Sequence, residues 1–181
     1  MRRLPELDPG TLSGRQKEVY DNIANGPRGG VRGPFPALLQ CPDIADYVQG
    51  LGACIRFEGA LPGPLREMAI LMTARFWTGA YEWCAHAAIA EKEGLAPEII
   101  TAIGDRKTPE FQSAEEKAVY GFCREALEQR RVGDDAFAGV ADALGRAGAA
   151  ELAVVMGYYS LISMVLNTFD IPPPEGADPP F

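Results

Sequence analysis

Residues 64–93 read PLREMAILMTARFWTGAYEWCAHAAIAEKE, and this segment predicts two helices that are joined by a turn at Gly79. Pro64 suits the first turn of the first helix, where its missing N–H costs nothing. Gly94 follows the second helix and suits its C-terminal end. The first helix is apolar nearly all round, which is typical of a helix at the centre of a protein or between subunits.

The remainder of the chain also has helical patterns. No window alternates apolar and polar residues with β-branched enrichment, so we expect no sheet. The sequence therefore predicts an all-α fold of about eight helices. Outside the central pair, the predicted helices cover residues 13–25, 43–57, 97–103, 113–129, 134–144 and 148–169.

Prolines divide the chain into three parts. Five of the 15 prolines lie in the first 36 residues and five in the last ten. We expect an N-terminal helix with a Gly/Pro-rich arm at residues 1–33, a helical domain at 34–170 and a Pro-rich tail at 171–181. The two ends are predicted to be extended arms.

Composition excludes several classes of function. The net charge of −8 argues against binding to nucleic acid or to an anionic membrane. No signal peptide and no membrane span of about 20 residues is recognised. The four cysteines contain no C-x-x-C pair, and the single histidine, His86, excludes a centre built on two or three histidines. We expect a cytoplasmic protein with reduced thiols.

The candidate site is a group of two carboxylates and one imidazole. Glu82 and His86 are spaced i, i+4 and therefore share one helix face. Glu67 and His86 lie roughly 16 and 12 Å from the intervening turn at a rise of 1.5 Å per residue, so the three side chains are predicted to converge. Cys84 lies about 200° around the helix from His86, on a different face.

Such a group is suited to proton transfer. Carboxylates that are close together in a low dielectric have separated pKa values, and an imidazole exchanges protons near neutral pH. The alternative is a solvated surface pair, because i, i+4 pairs are common. The apolar surroundings of these charges favour the functional interpretation.

The same residues resemble a known family. The segments Leu65-Arg66-Glu67, Gly79-Ala80-Tyr81-Glu82-Trp83 with His86, and Gly94-Leu95 are similar to the carboxymuconolactone decarboxylase family, which is related to the alkylhydroperoxidase D-like proteins. The resemblance extends from about Gly33 to Pro174. It implies an alkylhydroperoxidase D-like fold and a homo-oligomer, either a trimer or a hexamer.

Within that superfamily, the peroxidase branch carries a C-x-x-C pair at the positions that are Gly79 and Glu82 here. Both cysteines are absent, so peroxide reduction by thiols is disfavoured and peroxidase activity is implied only at the family level. The decarboxylase branch keeps a glutamate at the second position. It implies a cofactor-free, metal-free lyase that acts on a small carboxylated lactone or a related acid from aromatic degradation.

The resemblance also suggests roles for individual residues. His86 is expected to donate the proton to the substrate. Glu82 is expected to orient the His86 side chain, and Glu67 is expected to tune the protonation of His86. Two arginines are candidates for binding the substrate carboxylate, Arg75 first and Arg32 second. Tyr81 and Trp83 are candidates for the wall of a small pocket.

Three alternatives remain open from the sequence. The first is thiol-dependent peroxide reduction through Cys84. The second is a non-catalytic oligomer that binds a small ligand. The third is a metal site made of Glu67, Glu82 and His86, although the resemblance implies no metal.

Overall fold

The structure is a computed structural model that describes residues 3–181, so the first two residues of the predicted N-terminal arm lie outside it. The described residues form helices and loops without a strand, which confirms the all-α prediction. A 3₁₀ turn at Pro9–Thr11 and a π-helix at Cys54–Glu58 accompany eight α-helices: α1 (Gly14–Asn25), α2 (Phe35–Leu38), α3 (Pro42–Ala53), α4 (Gly63–Phe76), α5 (Ala80–Glu93), α6 (Pro97–Gly104), α7 (Ala114–Gln129) and α8 (Asp134–Phe169).

Local sequence signals set most of the helix ends. Ser13 accepts a hydrogen bond from the Gln16 backbone, and the Gln16 side chain accepts one from the Ser13 backbone, so a capping box opens α1. Gly94 adopts a left-handed conformation, with a φ of 97°, where α5 ends.

The structure differs from the predicted helices in two places. The helix expected at 43–57 changes to a π-helix after Ala53. The short helix α2 was not predicted. The predicted break between the last two helices is confirmed, because α8 is interrupted at Gly145, whose φ of 72° and ψ of 170° are not helical. Glycine carries no Cβ and therefore tolerates this break.

The described chain divides into two compact units. The first comprises residues 3–59 and 164–171 and contains α1, α2 and α3, with the last turns of α8. Both α1 and α2 pack against α3. Ile23 and Leu39 are buried in this unit, and Arg15 makes ion pairs with Asp43 and Asp46 of α3.

The second unit comprises residues 60–163 and 172–181. Helix α4 packs against α5, α6 and α7, and every residue from Glu67 to Ala74 is buried. A helix that is apolar on all sides is stable only when neighbours cover all of its faces. The prediction that this helix is central is confirmed for this unit.

The Pro-rich tail folds back onto the second unit. The Phe181 ring packs edge-on against Trp83, with 5.6 Å between the ring centroids. A Cβ on Gly104 would lie only 3.1 Å from Pro180 and from Trp83, so the missing side chain of Gly104 permits this close approach. The tail contains no helix or strand, and its last apolar side chains pack on α5 and α6.

One helix within residues 3–181, α8, is long and apolar enough to cross a membrane by length and composition. Half of its most apolar window is buried inside the protein. A core helix of a soluble protein passes the same test, so this is weak evidence for a membrane span.

Candidate active site

The structure brings Glu67, Glu82 and His86 together. Glu67 projects from α4, and the other two project from one face of α5. The Nδ1 atom of His86 lies 2.7 Å from Oε2 of Glu67, and its Nε2 atom lies 3.4 Å from Oε2 of Glu82. Each nitrogen of the imidazole therefore has its own carboxylate.

All three side chains are buried. The exposed fractions are 1% for Glu67 and 4% for both Glu82 and His86. Charges in such surroundings are rare unless they are paired, because desolvation of an isolated ion is costly. The interpretation as a solvated surface pair is therefore wrong for these residues.

Arg66 is a further member of this group. Its Nε atom lies 3.2 Å from Oε1 of Glu67, and only 11% of its side chain is exposed. Burial by itself would raise the pKa of Glu67. The hydrogen bond to His86 and the positive charges of His86 and Arg66 outweigh burial and hold the pKa of Glu67 below its ordinary value. Glu67 is therefore ionised at neutral pH.

An ionised Glu67 orients the imidazole. A carboxylate only accepts hydrogen bonds, so the short contact assigns a proton to Nδ1 of His86. The Nε2 atom then faces Glu82, either as an acceptor from a protonated Glu82 or as a donor to its carboxylate. The Nδ1 atom is thus held by Glu67, and Nε2 is the ring nitrogen that faces Glu82, at 3.4 Å.

Tyr159 of α8 is a neighbour of His86 that was not predicted as a site residue. Its ring packs edge-on against the His86 ring, with 4.9 Å between the centroids, and only 2% of the residue is exposed. Tyr158 packs edge-on against Tyr159 in turn. Nothing in the sequence gives the position of α8 relative to α5, so the contact between Tyr159 and His86 could not be predicted.

The geometry gives no support to a metal site. The two carboxylates lie at opposite nitrogens of the imidazole ring, so they do not converge with it on one point. Within residues 3–181, no group of three or more His, Cys, Asp or Glu side chains is arranged to hold a metal ion.

The predicted substrate-binding residues each have contacts of their own. Arg75 donates from Nε to the Gly104 carbonyl and stacks over the Phe181 ring at 4.3 Å. It lines a cavity to which Glu67, Glu82 and His86 do not contribute. Trp83 is buried against Phe181, and Tyr81 is half-buried at the start of α5. Arg32 belongs to the first unit and donates to the Arg28 carbonyl.

Two of the four cysteines, Cys84 and Cys123, are poorly suited to thiol chemistry. All four are free, and Cys123 is buried in a surrounding that raises its pKa. Burial, followed by the charge of Asp178, also raises the pKa of Cys84. Because the thiolate is the reactive form, a raised pKa lowers the nucleophilicity of Cys84 at neutral pH.

Comparisons with known proteins give fold relatives only. No protein-family model and no curated protein matches the sequence. A solved structure from Ralstonia eutropha, an uncharacterised peroxidase-related protein with an alkylhydroperoxidase AhpD core, has a TM-score of 0.75 and 16% identity. The match covers 96% of this chain and 92% of that one.

Two further structures have the same degree of identity, 16%. The debrominase Bmp8, solved as a cysteine-to-alanine variant with 2,3,4-tribromopyrrole, has a TM-score of 0.71 over 94% of this chain and 90% of its own. A protein of unknown function from Agrobacterium tumefaciens, provisionally assigned as an antioxidant defence protein AhpD, has a TM-score of 0.67 over 79% of this chain and 99% of its own. The chain therefore has the alkylhydroperoxidase D-like fold.

Proposed function

We propose that the protein is a cofactor-free lyase that decarboxylates a small carboxylated lactone or a related unsaturated acid. The observation that carries this proposal is the buried imidazole of His86 between two carboxylates, one at each nitrogen. This arrangement holds a proton in an environment from which water is largely excluded. The sequence resemblance to the carboxymuconolactone decarboxylase family supplies the substrate class.

The reaction needs little from the protein. The bond between the substrate carbon and its carboxylate breaks, CO₂ leaves, and the electron pair is delocalised into the unsaturated lactone carbonyl as a dienolate. The carbon then takes one proton, and solvent returns one proton to the site. The protein supplies a desolvated pocket, stabilisation of the dienolate oxygen and the proton.

The distances suggest a division of labour that differs from the one expected from sequence. Glu67 makes the short hydrogen bond to Nδ1 and is assigned as the orienting residue. Glu82 faces Nε2 at 3.4 Å and is assigned to share the transferable proton with His86. The carboxylate–imidazole bond fixes the ring so that only Nε2 exchanges its proton.

A homo-oligomer, a trimer or a hexamer, is part of the proposal. Val154 and Leu161, both in the second unit, are 45% and 39% exposed and lie seven residues apart on α8. This spacing places them on one helix face. An apolar face that the chain leaves uncovered is typical of a subunit contact.

The test is CO₂ release, with loss of ultraviolet absorbance, from carboxymuconolactone-type acids. We expect His86→Ala and Glu82→Gln to lower kcat by roughly 10²–10⁴-fold, the usual contribution of acid–base catalysis. Glu91→Gln is the matched control, because Glu91 is exposed on the same helix. Cys84→Ser is expected to retain full turnover.

Other outcomes separate the alternatives. Peroxide consumption that requires a thiol and disappears in Cys84→Ser would replace the lyase with a peroxidase. Binding of a lactone acid without turnover, unchanged in His86→Ala, would favour a non-catalytic binding protein.

A further inference from the structure

A second candidate site lies in the same unit, in a cavity of about 330 Å³. This volume is at the lower end of the range of roughly 300–1,000 Å³ that is typical of small-molecule sites. The cavity lies where the end of α4 meets α6, the residues that follow it, and α7. Its lining combines five apolar or aromatic residues with five charged ones: Met72, Phe76, Ile103, Tyr120, Leu127, Arg75, Arg106, Lys107, Arg124 and Glu128.

The charge of the lining is opposite to that of the protein. Four cations and one anion give the lining a formal charge of 4 − 1 = +3. The whole chain carries −8. Like charges gathered around one concave surface repel each other unless an anion or solvent compensates them.

The chain itself compensates only part of this charge. Lys107 is paired with Asp105 at 2.9 Å. Arg106 and Arg124 make no ion pair within residues 3–181. Burial, followed by the positive charge of Arg106, lowers the pKa of Arg75. The arginines of the lining are thus held near each other without enough carboxylates to neutralise them.

The apolar part of the lining restricts the kind of anion. Met72, Ile103 and Leu127 offer no hydrogen-bond partner to a bare inorganic ion. They can instead bury an apolar body, while the arginines bind a planar carboxylate through paired hydrogen bonds. An anion with a small aromatic or aliphatic body matches both parts of the lining.

We propose that this cavity is a binding site for a small monocarboxylate with an apolar body, of the aryl-carboxylate class, and that Arg106 and Arg124 bind the carboxylate group. The site is separate from Glu67, Glu82 and His86, and its occupancy does not depend on the proposed lyase activity. Met72, Ile103 and Leu127 cover the body of the ligand.

The test is calorimetric titration of the full chain with benzoate, using three other molecules as references. Benzamide has the same shape without the charge, and inorganic phosphate and acetate carry charge without the aromatic body. We expect saturable binding of benzoate and much weaker binding of the other three. The double variant Arg106→Gln/Arg124→Gln is expected to bind benzoate at least ~10-fold more weakly.

Two controls localise the site. The double variant Arg131→Gln/Arg146→Gln removes the same two charges at exposed arginines outside the lining, so its affinity for benzoate is expected to equal that of the native protein. Glu67→Gln is expected to bind benzoate normally, which separates this cavity from the candidate active site. All the exchanged arginines are exposed, so their loss leaves the core intact.

Three results would overturn the proposal. The first is the absence of saturable benzoate binding. The second is equal affinity for benzoate and benzamide, which would show that the charges play no part. The third is an unchanged affinity in the double variant. If a second copy of the chain covers the cavity, benzoate will not bind, and the first result will be obtained.

Discussion

The Nδ1 atom of His86 lies 2.7 Å from the Oε2 atom of Glu67, although the two residues are 19 positions apart in the chain. This bond joins the central helix α4 to α5 through two side chains that are almost completely buried. Because the partners come from different helices, the bond forms only when both helices are packed. Protonation of Glu67 is therefore coupled to folding.

That coupling predicts a pH dependence of stability. The pKa of Glu67 is held below its ordinary value of 4.5, so the unfolded chain binds more protons at this position as the pH falls. The stability contributed by Glu67 is complete above the ordinary value and is lost as the pH falls through the folded value. Urea denaturation between about pH 7 and pH 3 measures this loss.

Two variants isolate the contribution of Glu67. Glu67→Gln cannot ionise and is expected to show a shallower fall of the free energy of unfolding in the same pH range. Arg66→Gln removes one of the charges that lower the pKa of Glu67, so its dependence is expected to be intermediate. If the free energy of unfolding falls equally steeply with pH in the native protein and in Glu67→Gln, the stabilising role assigned to ionised Glu67 is contradicted.

The contact between Tyr159 and His86 predicts different results for two substitutions. Tyr159→Phe retains the ring that packs against His86 and Tyr158, whereas Tyr159→Leu removes it. We expect Tyr159→Leu to lower the free energy of unfolding by about 1–3 kcal/mol more than Tyr159→Phe does. Parallel urea denaturation of both variants tests this, and equal losses would mean that the ring contact contributes nothing.

A single carboxylate holds the loop that leads into α4. The oxygens of Glu151 accept hydrogen bonds from the backbone N–H groups of Ala60 and Leu61, at 3.1 and 3.2 Å. Glu151→Ala leaves both donors without this partner and is expected to cost about 1–2 kcal/mol. Glu151→Gln keeps one carbonyl acceptor, so thermal denaturation is expected to place it between the native protein and Glu151→Ala.

The turn between α4 and α5 contains a strained residue. Thr78 is exposed and has a φ of 51°, which is unfavourable for a β-branched side chain. Thr78→Gly is expected to raise the free energy of unfolding by about 1 kcal/mol, because glycine adopts this conformation without steric cost.

Thr101→Gly in α6 is the control for Thr78→Gly, and its effect on stability is expected to have the opposite sign. Thr101 is exposed and helical, so glycine there is expected to lower stability by about 1 kcal/mol. If both glycine variants destabilise the protein, the conformation of Thr78 carries no strain.

The sequence predicts local features of this protein better than contacts between distant segments. The i, i+4 spacing places Glu82 beside His86, and distance from the turn places Glu67 opposite them. Arg75 is eight residues after Glu67, which is about 80° further around the helix at 100° per residue, and it therefore faces the cavity beside α6 and α7 instead of His86.

Features that depend on how helices pack could not be predicted. The ring contact of Tyr159 depends on the path of α8, which no spacing within one helix determines. Adjacent residues of a helix do not normally face each other, so the spacing of Arg66 and Glu67 in the sequence did not predict the contact between their side chains. The tail composition indicated extended structure but not that Phe181 would pack against Trp83.

The chain has a single histidine, and it is the one held between Glu67 and Glu82. Any magnetic-resonance signal from a histidine ring of this protein therefore originates in the candidate active site. Incorporation of ¹⁵N-labelled histidine would give one Nδ1 and one Nε2 resonance, which need no assignment by mutagenesis. The chemical shifts of this pair would report which nitrogen is protonated, in the native protein and while a substrate is bound.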